Sequence, residues 1–193
     1  MMSVTLAKTD SVEPPWVGDV IHFWFEELGE AHWFAKSDET YAQIRNRFLH
    51  LHGQLVGHDG LGVCAPRSIL AAVIVLDQFS RNLFRGEARA FSADPIARRL
   101  SRVAIAQGFD TKMKNSQERY FLYLPFEHSE DRKDQALAHT MIRQLGNEEW
   151  TRCAATHMMI IDRFGRFPHR NEVLKRLSTA DELAFLKEPV KSF

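Results

Sequence analysis

Apolar residues recur at helical spacing through the whole chain, and no stretch sustains the alternation of period two that a half-buried strand requires. That feature confines the fold to helices packed on helices. Val17, Val20, Ile21, Trp24, Phe25 and Leu28 form one buried stripe after Pro14-Pro15, and Gly29 stops it. Ser37 or Asp38 can cap a second helix to about Leu51, with Tyr41, Ile44 and Phe48 on its buried side. The stretch from Gly53 to Pro66 reads as a loop. A third helix starts near Pro66–Ser68, carries the longest apolar run, Ile69 to Leu76, and gives way at Gly86. Ser92 and Asp94 are candidate caps before Pro95 for a fourth, from Ile96 to about Gln107. Ser116 to Leu124 form the next, ended by Pro125. Ser129, as N-cap, with Glu130 and Asp131 opens a helix to about Leu145. Glu148-Glu149-Trp150 begin a long helix, and Asn171 a short one to Leu177. Thr179-x-x-Glu182 is a capping box for a last helix through about Lys187, which Pro189 ends.

The expected fold is therefore all-α, with about nine helices packed as antiparallel hairpins in a bundle or a right-handed array. A chain of 193 residues fits one domain. It would span residues 14–193, after a polar and frayed segment 1–13.

Net charge is zero, which argues against a nucleic-acid or anionic-membrane surface built on bulk charge. The run from Ile69 to Leu76 is far short of the ~20 residues that span a bilayer, and the N-terminus lacks an apolar signal core. A soluble cytoplasmic protein is expected, with no membrane or nucleic-acid partner. Cys64 and Cys153 form no C-x-x-C and read as buried, reduced thiols. Gly60-Leu61-Gly62 lacks the third glycine and preceding strand of a dinucleotide loop, so no cofactor is expected. His50 and His52 cannot share a helical face, and His128-x-Glu130 lacks a third ligand, so no metal is expected either.

One phrase occurs twice. Asp77-Gln78-Phe79-Ser80-Arg81-Asn82-Leu83-Phe84-Arg85 and Asp162-Arg163-Phe164-Gly165-Arg166-Phe167-Pro168-His169-Arg170 both fit D-x-F-x-R-x-x-x-R, each closing an apolar run. The repeat suggests two related halves. On a helix, Asp77, Arg81 and Arg85 stack in one column, and Asp162–Arg166 repeats its first step before Pro168.

The strings HFWFEEL, LDQFSRNLFRG, PFEHSE and DRFGRFPHRN, spread over about Val17 to Leu186, resemble the signatures of the bacterial domain-of-unknown-function family 924. The resemblance implies a tetratricopeptide-like helical superhelix. It carries no reaction, ligand or catalytic residue with it.

Three clusters hold more polar chemistry than a helical scaffold needs: Asp77, Gln78, Arg81, Asn82 and Arg85; His128 and Glu130; and Asp162, Arg166, His169, Arg170 and Asn171. Arginine binds carboxylate or phosphate bidentately, and a nearby histidine can exchange a proton near neutral pH. A pocket for a small anionic ligand is one reading, with no catalytic residue assigned. The other is a scaffold for a protein or peptide partner, in which the Asp–Arg pairs are braces between helices.

Overall fold

In the computed structural model, which describes residues 13–60 and 62–188, every residue from Ser68 to Ser80 is buried. A helix with no solvent face must have others around it. In chain order, α1 is Pro15–His22, continued by a π-helical stretch, Phe23–Leu28. Helix α2 is Asp38–Gly57. The central helix, α3, runs Pro66–Val73, widens into a second π-helical stretch, Ile74–Phe79, and finishes as Ser80–Leu83. Then come α4 (Asp94–Ala106), α5 (Ser116–Glu127), α6 (Arg132–Arg143), α7 (Glu148–Phe164) and α8 (Ala180–Phe185). Short 3-10 turns at Ala88–Phe91 and Pro168–Arg170 lie between them. Helices α1, α2, α4 and α5 pack on α3, while α6 packs on α5 and α7 on α6.

The all-α expectation holds: the described residues contain eight helices and no strand. None of the eight is long and apolar enough to cross a membrane. At the core, the Trp24 ring meets those of Phe79 and Phe121 edge to face at 5.5 and 5.4 Å. Trp33 stacks edge-on to Phe121 at 4.7 Å and donates its indole N–H to the Trp24 carbonyl at 2.8 Å. Each large side chain so buried contributes roughly 1.5–3 kcal/mol, and this aromatic cluster fixes the α1–α2 connection against α3 and α5.

Several boundaries differ from those expected, each for a local reason. Helix α2 continues through Gly53 to Gly57, because His52 and Leu55 are buried and hold the extra turns. Pro125 does not end α5. It removes one backbone donor, but Phe126 and Glu127 beyond it are buried and stay wound. Asp131, not Ser129, caps α6, accepting from the amides of Lys133 and Asp134. Ser129 Oγ instead donates to Asp134 Oδ2 at 2.8 Å. Asn171 starts no helix: residues 171–175 form turns, with Lys175 in the left-handed region at φ 55°. Cys64 and Cys153 are free but exposed, against the expected burial. The capping boundaries at Ser37 and Thr179 stand as read, Thr179 with its full capping box. The expected frayed segment 1–13, apart from Glu13, and the stop at Pro189 lie outside the described residues.

Candidate functional site

Asp77 lies inside the π-helical stretch of α3 and is almost fully buried. An ionised carboxylate placed there costs several kcal/mol unless its oxygens are fully engaged. Three donors engage them. Arg81, one turn on, approaches Oδ1 at 3.1 Å. His128 Nδ1 reaches Oδ1 and Oδ2 at 2.8 and 3.0 Å. Gln78 Nε2 donates to Oδ2 at 2.5 Å. Burial alone would raise the Asp77 pKa, but Arg81, His128 and Gln78 outweigh it and hold it at about 2.

The same contacts set the tautomer of His128. Burial and the Arg81 charge lower its pKa, although Asp77 pulls the other way, so the ring is neutral near pH 7. An ionised carboxylate only accepts, so Nδ1 carries the hydrogen and Nε2 is left as an acceptor. Arg81 is committed as well: it forms a two-pronged pair with Asp94 at 3.0 and 3.1 Å and donates to the Asp77 carbonyl at 2.8 Å.

Arg170 is different. Its guanidinium lies over the rings of Phe91 and Phe167, 4.5 and 4.4 Å from their centroids, and the residue is 7% exposed. Among the described residues its nearest carboxylate oxygen, Asp94 Oδ2, is 3.8 Å away, and its buried Nε has no hydrogen-bond partner. Desolvation and the neighbouring Arg81 charge push its pKa down to about 10, which leaves it a cation at neutral pH.

Arg81, His128 and Arg170 border one cavity of about 280 Å³. Gln78, Arg81 and Asn82 come from α3, and Arg85 and Gly86 from the turn after it. Trp33, Phe34 and Ala35 belong to the α1–α2 connection, and Ala90 and Phe91 to the turn before α4. His128 stands at the end of α5, His157 on α7, and His169 and Arg170 in the 3-10 turn after α7. His169 is exposed, so the cleft desolvates it only in part; that desolvation, with Arg170 and His157 near, still lowers its pKa. His157 pairs through Nδ1 with the buried Glu127 at 2.7 Å, and its ring meets His128 edge-on at 6.3 Å.

Of the residues singled out from the sequence, Gln78, Arg81, Asn82, Arg85, His128, His169 and Arg170 therefore converge on the cavity, with Asp77 directly behind. The rest do not. Glu130 pairs with Arg176 at 2.7 Å and accepts from the Phe167 amide at 2.8 Å. Asn171 bonds Ser178 and Arg176. Both brace the loop that carries His169 and Arg170. Arg166 pairs with Glu182 at 2.6 Å instead of with Asp162, tying that loop to α8. Asp162 is exposed and faces Arg132 at 3.7 Å, so the second copy of the motif does not reproduce the first. Sequence reasoning missed Asp94, Glu127, His157 and the aromatic wall. Asp94 was legible only as a helix start, and Glu127 only by adjacency to His128. No group of three or more His, Cys, Asp or Glu side chains is arranged to hold a metal ion among the described residues.

Residues 20–190 match the family described as "Bacterial protein of unknown function (DUF924)". A solved structure, the protein of unknown function ATU0120 from Agrobacterium tumefaciens, is 36% identical with a TM-score of 0.84, covering 89% of this chain and 97% of that chain. The comparison with curated proteins found no match. With the family's pattern running through both the central helix and the Arg170 loop, the chain belongs to the bacterial DUF924 family.

Proposed function

We propose that the cavity binds a small anionic ligand, with Arg170 as its principal anchor and Arg85 as a second cation at the rim. The observation that carries this is the buried Arg170 guanidinium with no acceptor within hydrogen-bond reach among the described residues. A buried cation left without an acceptor is costly, and a carboxylate or phosphate arriving from solvent supplies what the protein does not. Arg85 is exposed and forms no ion pair among the described residues, with its guanidinium near the Tyr41 ring at 5.4 Å. Asn82 donates its side-chain N–H to the Gln78 carbonyl at 2.8 Å, which stiffens this edge of the site.

His128 adds chemistry to the binding site. Its Nε2 presents a lone pair, so it repels the oxygens of the anion and suits a hydroxyl, an amine or a water beside it. With Asp77 holding the opposite nitrogen, the ring is oriented to accept a proton there.

The test is a set of denaturant melts of the parent, Arg170→Met and Arg85→Ala, with and without sulfate or acetate. Met keeps the apolar stem between the two phenyl rings, so Arg170→Met should lose less than about 2 kcal/mol, the scale of a desolvated cation–π contact. It should also abolish stabilisation by the anion, which for one site reaches ~2.7 kcal/mol at a hundredfold excess over Kd. Arg85→Ala should weaken that stabilisation and leave the anion-free melt unchanged. A loss of ~3–5 kcal/mol in Arg170→Met, with no anion dependence in the parent, would make Arg170 the brace of Asp94 and end the proposal.

A further inference from the structure

The cavity has two unlike walls. One is polar: α3, His128 and the Arg170 loop. The other is aromatic and aliphatic: Trp33, Phe34, Ala35, Ala90 and Phe91. Phe34 is 59% exposed although its ring stacks on Phe121 at 6.3 Å with a 23° tilt, so one face rests on the core while much of the ring meets solvent. A bare inorganic anion would use the first wall and leave the second wet.

Charge narrows the choice further. Three guanidinium groups border the cavity, those of Arg81, Arg85 and Arg170; two carboxylates, Asp77 and Asp94, pair with Arg81, and Asp94 also stands 3.8 Å from Arg170. Among the described residues one positive charge remains uncompensated. A carboxylate carries one negative charge at neutral pH, whereas a phosphate monoester carries ~1.5–2. The Phe91 and Phe167 rings cover the faces of the Arg170 guanidinium, so an anion must come to its edge. The planar carboxylate meets that edge in the two-pronged geometry such pairs prefer.

We infer that the cavity takes a carboxylate joined to a flat apolar body, its carboxylate on the edge of Arg170 and its body against Phe34 and Trp33. This inference rests on the reading of the cavity as an anion site, and deepens it from anion to arylcarboxylate-like acid. A buried phenyl ring gains much more than a tenfold affinity needs, even after ordering costs.

Calorimetric titration of the intact protein with acetate, benzoate, inorganic phosphate and phenyl phosphate tests it. Benzoate should bind at least about tenfold more tightly than acetate, the step that ring burial predicts. It should also bind more tightly than phenyl phosphate. Phe34→Ala, at an exposed ring, should shrink the gain of benzoate over acetate, and Arg170→Met should abolish binding of both. Equal affinities for acetate and benzoate would overturn the apolar body but leave an anion site. Tighter binding of phenyl phosphate than of benzoate would overturn the assignment to a monoanion. Benzoate binding that survives Arg170→Met would place it outside this cavity and overturn the inference. No binding of any of the four would remove the anion reading itself.

Discussion

Asp77 and Arg170 show how differently two buried ions can be treated in one molecule. Asp77 is engaged by three side chains and held ionised, while Arg170 has aromatic faces above and below and an unengaged edge. The two should respond oppositely to removal of charge. Asp77→Asn keeps the shape but replaces an acceptor with a group that must also donate, against Arg81 and His128, which are donors already. A loss of ~3–5 kcal/mol is expected, the scale measured when one partner of a buried pair is neutralised. Urea melts of Asp77→Asn and Arg170→Met, compared with the parent, check the contrast. Similar losses in both would mean that Arg170 is as firmly paired as Asp77. On the proposed reading the contrast has a functional meaning: the rigid ion orients His128 and Arg81, and Arg170 is the one a ligand would engage.

At the scale of elements, the site is assembled where helices end. Helix α5 stops at His128, α3 unwinds toward Arg85, and α7 stops at Gly165, whose φ of 70° and ψ of 2° turn the chain toward Phe167 and Arg170. A Cβ at Gly165 would meet nothing within 4 Å, so Gly165→Ala tests the backbone alone. It should cost ~1–2 kcal/mol, and Gly165→Asn less, because asparagine tolerates the left-handed region. Equal melts for Ala and Asn would show that the turn has relaxed. Most of these elements were legible in the sequence, because their signals are local: apolar spacing, Pro15, the Ser37 cap, the Thr179 box. The π-helical stretch at Ile74–Phe79 was not, since nothing in the pattern distinguishes a widened turn from an ordinary one. Nor was Pro125 inside α5, where burial of Phe126 and Glu127 overrides the usual stop. The first D-x-F-x-R-x-x-x-R motif was readable as a site because charge inside an apolar run needs a reason. Asp94, His157 and Glu127 were not, because each looks ordinary until the fold brings its partner close. The second motif misled, since the same letters at Asp162 face solvent.

For the whole molecule, these placements converge on its response to acid. His52, His128 and His169 all have pKa values lowered from 6.5, through burial first in each case. Asp77 is held at about 2 against an ordinary 3.8, and Glu182 at about 2 against 4.5, chiefly through its bond to Arg166. In every one of these groups the folded state binds its proton less readily than the unfolded chain. The unfolded state therefore carries more protons below pH 6.5, and stability falls as pH falls, by ~1.4 kcal/mol per pH unit for each proton of difference. Two windows are expected. From 6.5 downward the unfolded chain protonates histidines that the fold keeps neutral, His128, His52 and His169 among them. Below 4.5 the carboxylates join, and the loss steepens until about 2, where Asp77 and Glu182 take up protons in the fold too. Unfolding free energies from urea melts at intervals between pH 7.5 and 3 would trace both arms. His128→Asn should make the upper arm shallower and leave the lower in place, because asparagine can still donate to Asp77 but does not titrate, while His52 and His169 still do. Asp77→Asn should act on the lower arm instead, making it shallower from an already reduced plateau, with Glu182 still contributing. A stability that stays level from pH 7 to 5 in the parent would mean that the histidines are not held neutral, and His128 would then lack the lone pair assigned to its Nε2.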